Sequence, residues 1–207
     1  MTKLIIVRHG NTFNKGEIVT RVGGRTDLPL VESGVLQATK AGELLKSKNI
    51  KIEVVYAAPL KRTMQTAEGI LRALGKDNLP IESLSDFTEI DYGVDENKPE
   101  SEVLARLGEK ALQDWSEKAI VPDGWNVNPE EIIQNWIRWS ERISSSGKNT
   151  LIVSSNGIIR FAPYITGDFE KFSKEHDIKV STGAICIFEY QSNILPGKWV
   201  YVDWNIK

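Results

Sequence analysis

The amino-acid sequence predicts an α/β protein in three layers, with helices on both faces of a mostly parallel central sheet. Short runs rich in β-branched residues have the length of strands, and the stretches between them have the spacing of amphipathic helices. Strands that alternate with helices pair in parallel and are covered on both faces. The 207 residues can bury a sizeable core, so we expect one domain over residues 1–207.

Five apolar segments are predicted to form the strands. The run Leu4–Val7 predicts a buried first strand, and Ile52–Tyr56 predicts the second. A third strand is predicted at Leu151–Val153. The last two are predicted at Ala184–Tyr190 and Trp199–Val202, because both segments are rich in β-branched and aromatic residues.

The segments between these strands have the apolar spacing of amphipathic helices. The first helix is predicted after Leu30, with one apolar face made of Val35, Ala38, Gly42 and Leu45. In the second helix the apolar residues recur every three or four positions, namely Leu60, Met64, Ala67, Leu71 and Leu74. The segment Ile158–Ile165 predicts a further helix after the third strand.

Residues from about 91 to 146 contain no convincing strand and predict a helical elaboration over one end of the sheet, a candidate lid. One helix there is marked by Leu104, Leu107, Ala111 and Trp115. Another begins at Asn128, which caps it, with Pro129 in the first helical position and Glu131 completing an arrangement similar to a capping box.

The elaboration also holds most of the tryptophans. Packing is the expected role of these side chains, namely Trp115, Trp125, Trp136 and Trp139. An alternative for Trp125, which lies in a Pro-Gly loop, is that it closes over a ligand.

Composition excludes several classes of function. A formal net charge of −2 argues against nonspecific nucleic-acid binding. The single cysteine, Cys186, cannot form an internal disulfide and fits a reducing compartment. No 18-residue apolar stretch or signal peptide is present, so we expect a cytoplasmic protein without a membrane partner. Two distant histidines give no metal-site spacing, and the glycine signatures of nucleotide cofactors are missing, so neither metal nor cofactor is expected.

Polar residues follow three of the predicted strands, in segments 8–12, 59–63 and 154–157. Parallel strands bring such ends into one crevice. His9 alone would be read more simply as a satisfied core histidine, and Arg8 or Arg62 alone as a surface or salt-bridge residue. Together they suit an anionic ligand, because guanidinium groups pair bidentately with phosphate or carboxylate oxygens.

The segment Arg8-His9-Gly10-Asn11-Thr12 resembles the signature of the histidine phosphatase superfamily, which includes the cofactor-dependent phosphoglycerate mutases. The resemblance continues in order along nearly the whole chain outside the elaboration. The further matching blocks are Asn14, Asp27–Leu30 with Gly34 and Ala38, Ala58–Ala67, Glu89–Gly93 and Leu151–Arg160.

This resemblance implies a covalent mechanism in which His9 attacks phosphorus and becomes a phosphohistidine that water then cleaves. The role requires a neutral ring, with the second nitrogen held as a donor by a backbone carbonyl. Arg8, Arg62 and Asn14 would bind the phosphoryl oxygens. Glu89 resembles the family's general acid, and burial beside phosphate should raise its pKa. An exposed turn carboxylate is the alternative for Glu89.

The chain departs from the family pattern after its third predicted strand, where a second histidine is usual and none is present. Counting back from Arg160 places Ser155 at that position, and this alignment is preferred. Matching the glycine to Gly157 selects Asn156 instead. His176 lies in a charged stretch downstream and is expected at the surface.

Losing one transition-state donor costs about 10²–10³ in rate, against a total acceleration of at least about 10⁶. We therefore expect a phosphatase that has an altered active-site pocket and acts on a small phosphorylated substrate. An inactive phosphate-ester-binding protein is the alternative, and a mutase is less favoured. Arg21, Arg25 and Lys98 are weaker candidates for the substrate rim, and Lys98 is more simply a solvated lysine. The oligomeric state stays open, a dimer included.

Overall fold

The computed structural model describes residues 1–193 and 196–207. Its strands are β1 (Thr2–Arg8), β2 (Val54–Ala57), β3 (Ile81–Ser83), β4 (Thr150–Ser154), β5 (Ile185–Gln191) and β6 (Lys198–Ile206). Its helices are α1 (Glu32–Ser47), α2 (Lys61–Leu74), α3 (Glu100–Lys118), α4 (Pro129–Ser146), α5 (Asn156–Ile159) and α6 (Phe169–Glu175). Short 3₁₀ turns cover Ser85–Phe87, Gly93–Asp95 and Ala162–Thr166.

The six strands form one sheet in the order β3-β2-β4-β1-β5-β6. β3, β2, β4 and β1 pair in parallel, whereas β5 is antiparallel to β1 and to β6. The predicted α/β class with a mostly parallel sheet is confirmed. Strand β3 was not predicted, because it has three residues and only its first, Ile81, is apolar.

Strand register places three chain segments at one edge of the sheet. Arg8 lies opposite Ser154, and Ala57 lies opposite Val153. The residues that follow β1, β2 and β4 therefore leave the sheet side by side. This arrangement of parallel carboxyl ends is where α/β proteins form ligand crevices.

Each face of the sheet has its own core. On one face, α1 and α2 pack against Ile5, Val7 and Val153. On the other face lie α4, α5 and α6, with Trp136 of α4 stacked on Phe87 at 4.2 Å between ring centroids. Helix α4 therefore belongs to the second helical layer. Of the predicted elaboration, only the part before α4, which contains α3, lies over the crevice.

Two apolar positions predicted to face the core are exposed. The first turn of α1 packs through Gly34, whose α-carbon faces the Asn11 backbone, so the neighbouring Val35 points outward and is 45% exposed. In α3, Val103 takes the buried position and Leu104 is 41% exposed. The backbone of α3 also leaves helical geometry at Gly108, with φ 77° and ψ 162°, which shifts the phase of the pattern.

Helix α4 begins as predicted, with the Asn128 side chain accepting a hydrogen bond from the Glu131 amide at 3.3 Å. The four tryptophans expected to pack are buried, namely Trp115, Trp125, Trp136 and Trp139. Trp125 is held in place by a 2.7 Å hydrogen bond from its indole nitrogen to Asp95.

The single helix predicted at Ile158–Ile165 was wrong. Helix α5 ends at Ile159, and a 3₁₀ turn follows, because Pro163 lacks the amide that a continuing helix needs. The prediction of a surface His176 was also too simple. Its ring is partly buried between Phe172 and Tyr201, each 4.8 Å away between centroids. Across the described chain, no helix has the length and apolar character needed to span a bilayer.

Candidate active site

A cavity of about 960 Å³ opens where β1 and β4 end. Segments from six regions of the chain line it: the loop after β1, the start of α1, the segment before α3, α3 itself, the turn after β4, and the segment before β5. Among the lining residues are Arg8, His9, Asn14, Arg21, Glu89, Tyr92, Trp115, Asn156, Arg160 and Lys179.

His9 leaves β1 with its main-chain amide bonded to the Ser154 carbonyl at 3.0 Å, and its ring lies at the cavity. Its Nδ1 is 2.8 Å from the Gly10 carbonyl, which accepts the proton of the Nδ1–H tautomer. Burial lowers the pKa of His9 well below its usual value, and the charges of Arg62 and Arg8 lower it further. The ring is therefore neutral near pH 7, and the lone pair of Nε2 is available to a ligand.

Gly10 is required here because the start of α1 approaches it closely. A β-carbon at Gly10 would lie 2.4 Å from the Gly34 carbonyl oxygen, a backbone atom that cannot swing away. The missing side chain lets α1 press against the loop and fix the carbonyl that orients His9.

Arg62, in the first turn of α2, is fully buried. Its Nη1 donates to the Thr26 carbonyl at 2.7 Å, and its Nη2 donates to the Gly23 carbonyl at 3.1 Å. Burial lowers the pKa of Arg62, although not enough to discharge a guanidinium. The alternative that Arg62 is a surface residue is therefore wrong.

Arg8, the last residue of β1, lines the cavity, whereas the fully buried Arg62 is not among the residues that line it. Its Nη1 donates to the Val180 carbonyl at 2.6 Å, and burial lowers the pKa of the guanidinium. Within residues 1–193 and 196–207, neither Arg8 nor Arg62 has a carboxylate within 4.0 Å. Two buried positive charges beside a neutral histidine make a site for an anion.

Glu89 is also at the cavity and is 7% exposed, so the alternative of an exposed turn carboxylate is wrong. Its Oε1 accepts from the Ile90 amide at 3.0 Å, and its Oε2 accepts from the Gly157 amide at 3.3 Å. Burial raises the pKa of Glu89, against the lowering effect of these amides and of Arg62 and Arg8. A carboxyl group with a raised pKa can hold a proton for donation.

Asn156 is the residue after β4 that reaches the cavity. Its Oδ1 accepts from the Val180 amide at 2.8 Å, which leaves the Nδ2 group as the donor available to a ligand. Ser155 is fully enclosed, and its hydroxyl has no hydrogen-bond partner among the described residues. Of the two residues predicted for the position of the second histidine, Asn156 lines the cavity and Ser155 does not.

The predicted rim residues separate into two groups. Arg21 lines the cavity, where it pairs with Glu100 and stacks at 5.3 Å on the rings of Tyr92 and Trp125. Asn14 lies at the mouth, where its Nδ2 donates to Glu17 at 2.9 Å.

The other two rim candidates lie away from the cavity lining. The Arg25 side chain bonds to the Asp91 carboxylate at 3.0 Å and to the Gly93 carbonyl at 2.8 Å. Lys98 is exposed to solvent. Arg25 is therefore held outside the cavity lining by these bonds, and the exposed Lys98 agrees with the simpler interpretation of a solvated lysine.

Arg160 is a cavity residue that the sequence analysis did not propose for the site. It is 2% exposed, and its guanidinium carbon lies 3.9 Å from the centroid of the Trp115 ring. Burial lowers its pKa to about 10. The available signal was its spacing four residues after Asn156, which places both on one face of a helical turn.

Metal binding has no obvious donor set in this structure. Within the described chain, no group of three or more histidine, cysteine, aspartate or glutamate side chains is arranged to hold an ion.

The family model described as "Histidine phosphatase superfamily (branch 1)" matches residues 4–207. The chain belongs to this superfamily. The match covers both strand-end segments that supply His9 and Asn156, and it extends through β6.

Relatives in the superfamily include phosphoglycerate mutases. The chain is 26% identical over 233 residues to the 2,3-bisphosphoglycerate-dependent phosphoglycerate mutase of Hamiltonella defensa, with 97% of this chain and 91% of the mutase covered. It is 34% identical over 116 residues to the enzyme of the same name from Bacteroides fragilis, with 56% of this chain and 46% of that protein covered.

Solved structures with the same fold include phosphatases. A mycobacterial glucosyl-3-phosphoglycerate phosphatase complexed with VO3 superposes with a TM-score of 0.79 at 18% identity, covering 100% of both chains. The phosphoserine phosphatase of Entamoeba histolytica, in complex with 3-phosphoglyceric acid, gives a TM-score of 0.74 at 20% identity, covering 100% of this chain and 98% of that one. These likenesses establish the fold.

Proposed function

We propose that this protein hydrolyses phosphate monoesters through a phosphohistidine on His9, with a small phosphorylated metabolite as substrate. The observation that carries the proposal is the state of His9: a neutral ring at a cavity, with Nδ1 held by the Gly10 carbonyl and two buried arginine charges beside it. Membership of the superfamily and the phosphatases among its structural neighbours support the same chemistry.

In the first step, Nε2 of His9 forms a bond to phosphorus while the bond from phosphorus to the ester oxygen breaks. Glu89 gives its proton to the leaving oxygen and becomes a carboxylate. In the second step, water attacks phosphorus, the phosphorus–nitrogen bond breaks, and a proton of that water passes to Glu89. The products are an alcohol and inorganic phosphate, and both residues return to their starting states.

Arg8 and Arg62 stabilise the charge on the phosphoryl oxygens, and their positions are set by main-chain carbonyls before a ligand arrives. Asn156 adds a neutral donor through Nδ2. The Nδ2 group of Asn14 donates one of its two hydrogens to Glu17, and the second N–H can be donated to the phosphoryl group.

The test compares 4-nitrophenyl phosphate hydrolysis by the wild-type protein and by His9→Ala. His176→Ala is the matched control, because His176 is the chain's other histidine and lies away from the cavity lining. We expect His9→Ala to abolish turnover and the control to keep it. Quenching the wild type during turnover with alkaline denaturant should trap a base-stable, acid-labile phosphoryl group that is lacking in His9→Ala. Turnover that persists without His9 contradicts the proposal.

Two other functions are compatible with this site. The lack of the family's second histidine after β4 favours a phosphate-ester-binding protein without turnover, and that protein would bind inorganic phosphate while leaving every ester intact. The mutase relatives favour phosphoryl transfer to a second hydroxyl. Interconversion of 2- and 3-phosphoglycerate, followed by ³¹P NMR, would identify the mutase by isomer formation without release of phosphate.

A further inference from the structure

Arg160 is a rigidly held cation inside the cavity. Its Nε donates to the Asn156 carbonyl at 3.3 Å, its Nη1 donates to the Trp115 carbonyl, and its guanidinium lies over the Trp115 ring. Nη2 is the guanidinium nitrogen for which no hydrogen bond occurs within the described part of the chain. Because Arg160 lines the cavity, a ligand is the partner within reach of Nη2.

Among the described residues, no carboxylate at the cavity forms an ion pair with Arg160, although the charge of Glu89 opposes the lowering of its pKa by burial. Glu100 pairs with Arg21, and Glu89 is bound by two main-chain amides. Over residues 1–193 and 196–207, no carboxylate lies within 4.0 Å of Arg160. A buried charge without a counterion is costly, so such a residue indicates a ligand that brings the opposite charge.

Charge balance separates Arg160 from the phosphoryl site. Arg8 is the neighbour of His9 in the chain, and after burial the charges of Arg62 and Arg8 lower the pKa of His9, so we assign these two arginines to the phosphoryl group. A phosphate monoester dianion balances these two arginines. Among the described residues that line the cavity, Arg160 then remains as the buried positive charge without an ion pair, since Arg21 pairs with Glu100 and both lining lysines are exposed.

We propose that Arg160 binds a second, singly charged anionic group on the alcohol part of the substrate. This assignment rests on the proposed function for the identity of the phosphoryl site. A carboxylate fits it, because one negative charge matches one guanidinium, and the Trp115 ring supports the face of that guanidinium. Arg160 is thus a specificity-determining residue that holds the substrate at the end opposite to its phosphate.

The test measures binding by calorimetry to the His9→Ala variant, which cannot turn ligands over. The probes are phosphorylated ω-hydroxy acids of increasing chain length, each paired with the alkyl phosphate of equal length. We expect at least one acid to bind about tenfold or more tightly than its alkyl partner, as one charged hydrogen bond provides. Arg160→Gln should remove that preference and leave alkyl phosphate affinity nearly unchanged, while Arg160→Lys should retain part of it.

Lys179→Gln is the matched control, because Lys179 also lines the cavity as a cation but is exposed. Its removal should preserve the preference. Equal affinities within every pair, or a preference that survives Arg160→Gln, would overturn the assignment. Parallel loss of both ligands would show that Arg160 serves the fold or the phosphoryl group instead. If an alkane bisphosphate binds more tightly than the acid of equal length, and Arg160→Gln removes that difference, then the proposal of a singly charged group at Arg160 is wrong.

These outcomes are separate from the failure of the proposed function. If the wild type lacks turnover and forms no phosphohistidine, the reaction fails, yet the ligand preference and its dependence on Arg160 can still be measured.

Discussion

Asn156 and Val180 are joined by a hydrogen bond of 2.8 Å from the Val180 amide to the side-chain oxygen of Asn156. The carbonyl of Val180 accepts from Arg8 at 2.6 Å. One residue of the main chain therefore sets the direction of two side chains at the cavity. The orientation of the Asn156 amide follows from this bond, since an oxygen that faces an N–H leaves the NH₂ group pointing away from it.

The first prediction separates Asn156 from Ser155. Asn156→Ala should lower kcat about tenfold to a hundredfold, because it removes a donor to the transition state. Ser155→Ala should change kcat little and leave stability equal or slightly higher, since the enclosed hydroxyl has no partner among the described residues. Steady-state kinetics on one aryl phosphate and thermal unfolding measure both. A large kinetic loss in Ser155→Ala alone would reverse the assignment.

A related substitution, Asn156→His, should increase kcat. An imidazole at this position can accept from the Val180 amide through Nδ1, as the asparagine oxygen does, and present Nε2 to the phosphoryl group. Ser155→His is the control and should destabilise the protein, because the site is fully enclosed and lacks room for the ring. Rates for the two variants at equal folded concentration provide the comparison.

The general acid gives a prediction that depends on the leaving group. Glu89→Gln should lower kcat by about 10²–10⁴ for alkyl phosphates, whose alkoxide leaves poorly without a proton. The loss should be much smaller for 4-nitrophenyl phosphate, whose phenolate leaves without help. An equal loss on both substrates would show that Glu89 acts by holding the Gly157 turn in place rather than by proton transfer.

The pH dependence follows from two pKa shifts of opposite direction. His9 must be neutral, and its pKa is lowered well below 6.5, so activity should persist below that pH and fall only at more acidic values. Glu89 must be protonated, and its pKa is raised above 4.5, so activity should decline as pH rises through the raised value. A kcat/KM profile, corrected for the substrate's own titration, measures both limbs. Glu89→Gln should lose the alkaline limb and keep the acidic one.

The same shifts affect stability. The unfolded chain binds a proton at His9 below about 6.5 while the folded protein does not, so this residue makes folding less favourable as pH falls. Glu89 acts in the other sense: its stabilising contribution is present at low pH and is lost as pH rises above 4.5 through the raised pKa.

Gly157 gives a prediction about the geometry of the acid. A β-carbon at Gly157 would lie 2.3 Å from Oε1 of Glu89 and 2.8 Å from a side-chain carbon of Ile90. Gly157→Ala should therefore displace the carboxyl group, destabilise the protein by about 1–3 kcal/mol, and lower kcat more for alkyl than for aryl phosphates. Thermal unfolding and the ratio of the two rates measure these effects. An unchanged ratio would mean that the carboxyl group adapts without loss of function.

Most of the fold was predictable because the apolar runs of β1, β2, β4, β5 and β6 are long enough to be distinctive, and because α1, α2 and α4 carry a clear helical period. The predictions that failed concern features that tertiary packing determines. Edge strand β3 has little apolar sequence, Gly108 interrupts α3, and Pro163 divides the segment after α5. The role of α4 as a layer of the core, rather than part of a lid, also required the packing of Trp136 on Phe87.

The site was predictable at His9 and Arg62, which follow predicted strands, and at Glu89, which was assigned from the resemblance to the family. Counting residues could not decide between Ser155 and Asn156, because neighbouring positions point in different directions once the chain leaves β4. For Arg160 the spacing from Asn156 was a sequence signal, but it could not reveal the contact with Trp115, which is distant in the chain.

The main-chain anchoring of Arg8 and Arg62 has a consequence for the end of the reaction cycle. Because carbonyls fix both guanidiniums whether or not a ligand is present, the pocket is as well shaped for free orthophosphate as for an ester. We therefore expect strong product inhibition, with departure of orthophosphate slower than cleavage at high substrate concentration. A pre-steady-state burst of alcohol release would reveal this rate limit.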